Sequence, residues 1–193
     1  MIKIALTGNI GSGKTTVAKI FETINIPVFY SDDIAKELYS DKDVRDAVLS
    51  LFSKNILTKD KIDFKKLAMI AFNSQENLNL LTSIIHPVVL NKFSEWQKQH
   101  SKHKYVVLES AILFESGFYK HSDKIITVTA PESIRIERIK KRDGVSTEKA
   151  LQRAKYQWEE EKKIKLSHFV IVNDDETAVL PQVLKIHETL MAE

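Results

Sequence analysis

Apolar residues recur along this chain in two rhythms, one short and continuous, the other spaced for helices. Residues 2–6 form a β-rich apolar run, followed by a cluster of glycines and then by Val17, Ile20, Phe21 and Ile24 at helix spacing. That order predicts strand, loop and helix. Further short strands are predicted over 28–30, 105–108, 124–129 and 168–172. They are mostly apolar on both faces, which suits a parallel sheet covered by helices on both sides, because a strand wetted on one face would alternate apolar with polar. Between them the spacing predicts helices over about 32–38, 44–52, 64–72, 75–99, 131–142, 147–163 and 178–191. The fold class is therefore α/β and doubly wound, built on a five-stranded, mostly parallel sheet.

Composition narrows the classes. The chain has 193 residues, about one domain, of which 43% are hydrophobic and 28% charged, so it is neither disordered nor fibrous. The longest apolar run, residues 67–72, is far short of the roughly 18 to 20 needed to cross a bilayer, so no membrane partner is expected. Residues 1–6 lack the apolar stretch and cleavage site of a signal peptide, and a cytoplasmic location is the expectation. With no cysteine, disulfides, thiolate nucleophiles and cysteine-ligated zinc are excluded. A net charge of +3 is only mildly basic, so the anionic partner expected is a phosphorylated small molecule and not a nucleic acid.

Residues 8–15, Gly-Asn-Ile-Gly-Ser-Gly-Lys-Thr, match the phosphate-loop pattern G-x-x-x-x-G-K-[ST] between the first predicted strand and helix. Glycines let successive N–H groups turn toward phosphate oxygens, and the following helix points its positive end at the same anion. Gly11, Ser12, Gly13, Lys14, Thr15 and Thr16 are the nucleotide-binding candidates, with Lys14 facing the β and γ phosphates and Thr15 offering a hydroxyl to Mg²⁺. No guanine-reading Asn-Lys-x-Asp occurs. That leaves small-molecule kinases as the larger class. About 70 mostly helical residues between the second and third strands, and a charged insert after the fourth, then read as an acceptor lobe and a lid within one folded unit, 1–193.

Asp32 and Asp33 follow the second strand, at the carboxyl end where open α/β sheets hold ligands. One can take or orient a hydroxyl proton while the other caps a helix starting near Ile34; Asp32 is read as the chemical member. Arg135, Arg138 and Arg142 fall on one helix face, with Arg153 in the next helix. They are either solvated surface or a clamp on transferring phosphoryl oxygens. His86-Pro87 interrupts a long helix pattern and predicts a kink or a new helix start. Glu109 stands where a second Mg²⁺-shell carboxylate could lie, and Glu115 reads equally as a helix or turn residue.

Taken together, the stretches 4–17, 27–38, 84–88, 113–115, 138–145, 153–157 and 169–174 resemble bacterial dephospho-coenzyme A kinases in order and over essentially the whole chain. Departures include Asn9 for a glycine, Tyr30 where an aspartate is common, and Glu109 for an aspartate. The resemblance implies a P-loop NTPase fold and ATP-dependent phosphorylation of the ribose 3′-hydroxyl of dephospho-coenzyme A, the last step of coenzyme A synthesis. It implies Mg²⁺ at Thr15, an acceptor lobe over about 32–100 that includes His86, and a lid over about 138–163. Asp32, Lys14 and Arg138 would be catalytic, Arg142 would bind nucleotide, and the protein would be a monomer or weak homo-oligomer. The rivals are another small-molecule or nucleoside monophosphate kinase of the same architecture, and a non-catalytic P-loop switch.

Overall fold

The computed structural model describes residues 1–193 except for the side chains of Lys54 and Arg153, so the expectation for Arg153 lies outside the described residues. From the N-terminus come β1 (Ile2–Thr7), α1 (Lys14–Thr23), β2 (Val28–Tyr30), α2 (Ser31–Leu38) and α3 (Lys42–Phe52). A hairpin of β3 (Leu57–Thr58) and β4 (Lys61–Ile62) leads to α4 (Phe64–Ala71), α5 (Gln75–Gln99) and β5 (Tyr105–Glu109). Then follow β6 (Lys124–Thr129), α6 (Glu132–Asp143), α7 (Thr147–Ala154), α8 (Glu160–Lys165), β7 (Phe169–Val172) and α9 (Val179–Ala192).

The large sheet has five strands in the order β2-β5-β1-β6-β7, every neighbouring pair parallel. Its central strand shows why a continuous apolar run is needed. Ile4, Ala5 and Leu6 are all fully buried, so both faces of β1 are covered. On one face Ile4, Leu6, Tyr105, Val107, Ile126 and Ile171 pack with Val17, Ala18 and Phe21 of α1 and with Val183, Ile186 and Leu190 of α9. Phe21 meets Tyr105 edge-on at 6.3 Å between ring centroids, and the buried Tyr105 hydroxyl is partnered by His187 Nδ1 at 2.8 Å.

The chain divides into two compact units, Met1–Tyr30 with Gln97–Glu193, and Ser31–Trp96. The first carries the large sheet. The second is helical apart from the β3–β4 hairpin, which no periodicity signalled because each strand is two residues long. Within it Asp41 caps α3, accepting from the N–H groups of Asp43 and Val44, and Asp63 caps α4 in the same way through Lys65 and Lys66.

Three local expectations are corrected. α2 begins at Ser31, directly after β2, so Asp33 lies inside its first turn and pairs with Lys36 at 2.7 Å instead of capping a later helix. α5 runs unbroken through Pro87; burial of Leu78, Ile85, Val89 and Phe93 offsets the one ladder bond that proline removes. The helix expected over 147–163 is two helices, because the chain between α7 and α8 spends its polar groups on other partners, described next.

Candidate active site

The phosphate loop follows β1 and turns into α1. Gly13 is the residue before α1, at φ +93°, a left-handed conformation that a side chain would strain, and it has no side chain with which to cap the helix. The first amides of α1 are thus left for an anion. Gly11, at φ +84°, lies so close to the Arg135 backbone that a Cβ would collide with it. Thr7 Oγ1, Asn9 Oδ1 and the Ser12 hydroxyl are buried along this stretch with no hydrogen-bond partner among the described residues. Buried polar atoms are normally satisfied, and the Ser12 hydroxyl, a donor just ahead of uncapped amides, fits an anionic ligand, whereas the Asn9 amide oxygen can only accept.

Lys14 opens α1 with its ammonium 3.1 Å from a Glu109 carboxylate oxygen, both side chains largely buried. Glu109 ends β5 and registers with Leu6 of β1 and Tyr30 of β2, so three strand ends bring this pair to the carboxyl edge of the sheet. Thr15 and Thr16 are exposed on the first turn of α1. Among the described residues no group of three or more His, Asp or Glu side chains converges to hold a metal. The donors offered are a hydroxyl at Thr15 and a carboxylate at Glu109, which suits a Mg²⁺ ion that takes most of its shell from phosphate oxygens.

The three α6 arginines separate. Arg135 is buried and donates to the Ala130 carbonyl at 3.0 Å, with Glu160 3.9 Å away, so it holds the helix and is not a ligand-facing member of a common face. Arg138 reaches the loop, donating to the Gly11 carbonyl at 3.2 Å, to the Asn173 carbonyl at 3.0 Å and to Asp175 at 2.5 Å. Arg142 is largely exposed; its guanidinium donates two hydrogen bonds to the Asp143 carboxylate, which raise its pKa and engage it away from the loop. Asp32, in the first turn of α2, and His86, within α5, belong to the second unit.

Four residues of the first unit have no functional role assigned from sequence, Glu115 among them being read as a helix or turn residue. Gln157 accepts from the Ile10 N–H at 2.7 Å and donates to the Ala111 carbonyl at 2.8 Å. Asn173 donates its side-chain amide to the Ser12 carbonyl at 2.8 Å. Glu115 accepts from the Trp158 N–H at 2.7 Å and lies 2.7 Å from the ammonium of Lys163, which is fully buried. Burial pulls the Lys163 pKa below that of an ordinary lysine, an effect that Glu115 opposes and Lys14 reinforces. Gln157, Asn173 and Glu115 fall in stretches that carry the family resemblance, which was the one available signal.

A parallel sheet that feeds a complete G-x-x-x-x-G-K-[ST] loop into a helix, with a lysine-carboxylate pair at its carboxyl edge, defines a P-loop nucleotide-binding enzyme. The family model for dephospho-CoA kinase matches residues 2–178. A dephospho-CoA kinase of Bacteroides fragilis is 36% identical over 186 residues, covering 96% of this chain and 91% of its own. The Campylobacter jejuni dephospho-CoA kinase structure is similar with a TM-score of 0.65 at 30% identity, over 97% of this chain and 96% of that one. A Thermus thermophilus structure, TT1252, is similar with a TM-score of 0.82 at 31% identity, over 99% and 96%. The chain belongs to the dephospho-CoA kinase family, and it is a phosphoryl-transferring enzyme.

Proposed function

We propose that the protein transfers the γ-phosphoryl group of ATP to the ribose 3′-hydroxyl of dephospho-CoA, giving CoA and ADP, the last step of CoA synthesis. The observation that carries this is the complete phosphate loop, with Lys14 set against Glu109, in a chain matched by the family over residues 2–178. The loop amides and Lys14 take the triphosphate charge, and Thr15 with Glu109 would hold Mg²⁺. When bound, that ion neutralises charge on the β and γ phosphates. Phosphoryl transfer passes through a loose transition state, so positioning and electrostatics do most of the work. Asp32 orients or deprotonates the acceptor hydroxyl. Arg138, already beside the loop, bridges to the moving phosphoryl group, and Arg142 contacts the nucleotide once released from Asp143. The unit Ser31–Trp96, which holds His86, supplies the acceptor lobe, and the lid is the part of the expected 138–163 segment that precedes Gln157, since Trp158 and Lys163 are tied to Glu115.

ADP release measured with dephospho-CoA, AMP, CMP or shikimate as acceptor tests the reading. Turnover with dephospho-CoA alone is expected, and slow hydrolysis without acceptor. Turnover with another acceptor at equal or greater efficiency, or fast acceptor-free hydrolysis, overturns it.

A further inference from the structure

We infer that Gln157 is a positioning residue for ATP, setting the geometry of the phosphate loop through one bifunctional side chain. This rests on the reading of residues 8–15 as the ATP site. The loop holds three glycines at positive φ, Gly8, Gly11 and Gly13, and backbone of that kind loses much conformational entropy on ordering. Ile10 sits between the first two. Its N–H is held by Gln157 Oε1 at 2.7 Å, across 147 positions of sequence. The other end of the same amide donates to the Ala111 carbonyl at 2.8 Å, two residues beyond Glu109. Gln157 therefore spans the two segments whose ends carry Lys14 and Glu109, the pair 3.1 Å apart. A planar amide, with acceptor and donor at fixed separation, fits the gap between an N–H and a carbonyl.

The segment that presents Gln157 is fastened independently. The Trp158 N–H is held by Glu115, its carbonyl accepts from Asn9 Nδ2 at 3.3 Å, and its ring stacks on Phe114 at 5.8 Å between centroids. The Gln157 side chain can thus be altered with its backbone kept in place. These contacts also explain why the helix stops after Ala154: a continuing helix would have bound the Trp158 N–H within itself and turned the glutamine away. Any lid motion of α6–α7 must pivot ahead of Gln157.

The test compares the unaltered enzyme, Gln157→Met and Lys14→Ala. Methionine keeps the length of the side chain and removes both hydrogen bonds. Calorimetric ADP binding, ATP and dephospho-CoA kinetics, and amide hydrogen exchange at Ile10 and Trp158 are measured. For Gln157→Met, exchange at Ile10 should accelerate while Trp158 stays protected. ADP affinity should fall, and the KM for ATP rise, by about tenfold, as loss of one to two hydrogen bonds allows, with the KM for dephospho-CoA unchanged within about twofold. A merely structural glutamine would lower the melting temperature and leave the ATP and acceptor parameters in their original ratio, which overturns the proposal. Unchanged exchange at Ile10 also overturns it. If the unaltered enzyme bound no ADP, or Lys14→Ala bound it equally well, the ATP-site reading itself would fail; full binding by Gln157→Met beside loss in Lys14→Ala defeats the glutamine proposal alone.

Discussion

Adjacent residues of the same chemical type are proposed to play different parts here, and the contrast is testable. Asp32 and Asp33 both lie in the first turn of α2, where Asp33 makes an exposed pair with Lys36 at 2.7 Å. Replacing Asp33 by asparagine should cost no more than about 0.5 kcal/mol, the scale of surface helix pairs, and leave turnover intact. Asp32→Asn should lower kcat by roughly 10² to 10⁴ with little change in ATP affinity if its charge serves the acceptor hydroxyl. Recording kcat and melting temperature for both variants decides it, and the reverse pattern assigns the chemistry to Asp33. Arg138 differs from its neighbours on α6 in touching the loop carbonyl of Gly11. Arg138→Ala is expected to depress kcat by about 10², as a transition-state clamp would, and to raise the KM for ATP as well, because the loop loses a tether. A rise in KM alone would reduce Arg138 to a ground-state contact.

In two elements a charged side chain makes a contact whose loss can be measured. α8 is docked by Lys163, fully buried against Glu115. Lys163→Met strips the carboxylate of this partner and should cost about 3–5 kcal/mol in urea unfolding, as broken buried pairs do. Adding Glu115→Gln, which removes the buried charge and keeps an acceptor for the Trp158 N–H, should restore most of that loss; no recovery would mean the pair itself is not what holds α8. α4 is capped by Asp63, whose pKa is lowered chiefly by the Lys66 backbone N–H and then by the Thr58 hydroxyl. Because the folded value lies below the ordinary 3.8, the contribution is complete above that pH and is lost as pH falls through the depressed value. The melting-temperature gap between the unaltered protein and Asp63→Ala should therefore be constant near neutrality and close in strong acid. A gap independent of pH would show that the carboxylate charge is not what the cap uses.

At the scale of the molecule, nucleotide binding and the stability of the sheet edge meet in one ion pair. Lys14→Ala should abolish turnover and the ATP-dependent rise in melting temperature, which reports binding to the native state. It should also lower the ligand-free melting temperature by about 2–4 °C, since Glu109 is largely buried and loses its lysine. Lys14→Ala with Glu109→Gln should recover the ligand-free value and no turnover; recovery of turnover would remove Lys14 from the mechanism. The five strands of the large sheet, the phosphate loop and most helices were legible in the sequence because each is written in a local period or a short motif, with Ile2 to Thr7 feeding Gly8 as the clearest case. The strand order β2-β5-β1-β6-β7 was not, since parallel neighbours meet only after long crossovers. Nor were the separate fates of Arg135, Arg138 and Arg142, whose helical spacing hides which of them packing will bury. Gln157, Asn173, Glu115 and Lys163 carry no period and no motif; they matter because the chain returns to the loop 147 to 161 residues later, or closes a pair across 48. A residue's own chemistry and near neighbours thus marked the phosphate loop and the family, whereas the choice of groups that hold the loop depended on distant segments meeting, and only the folded chain makes those meetings.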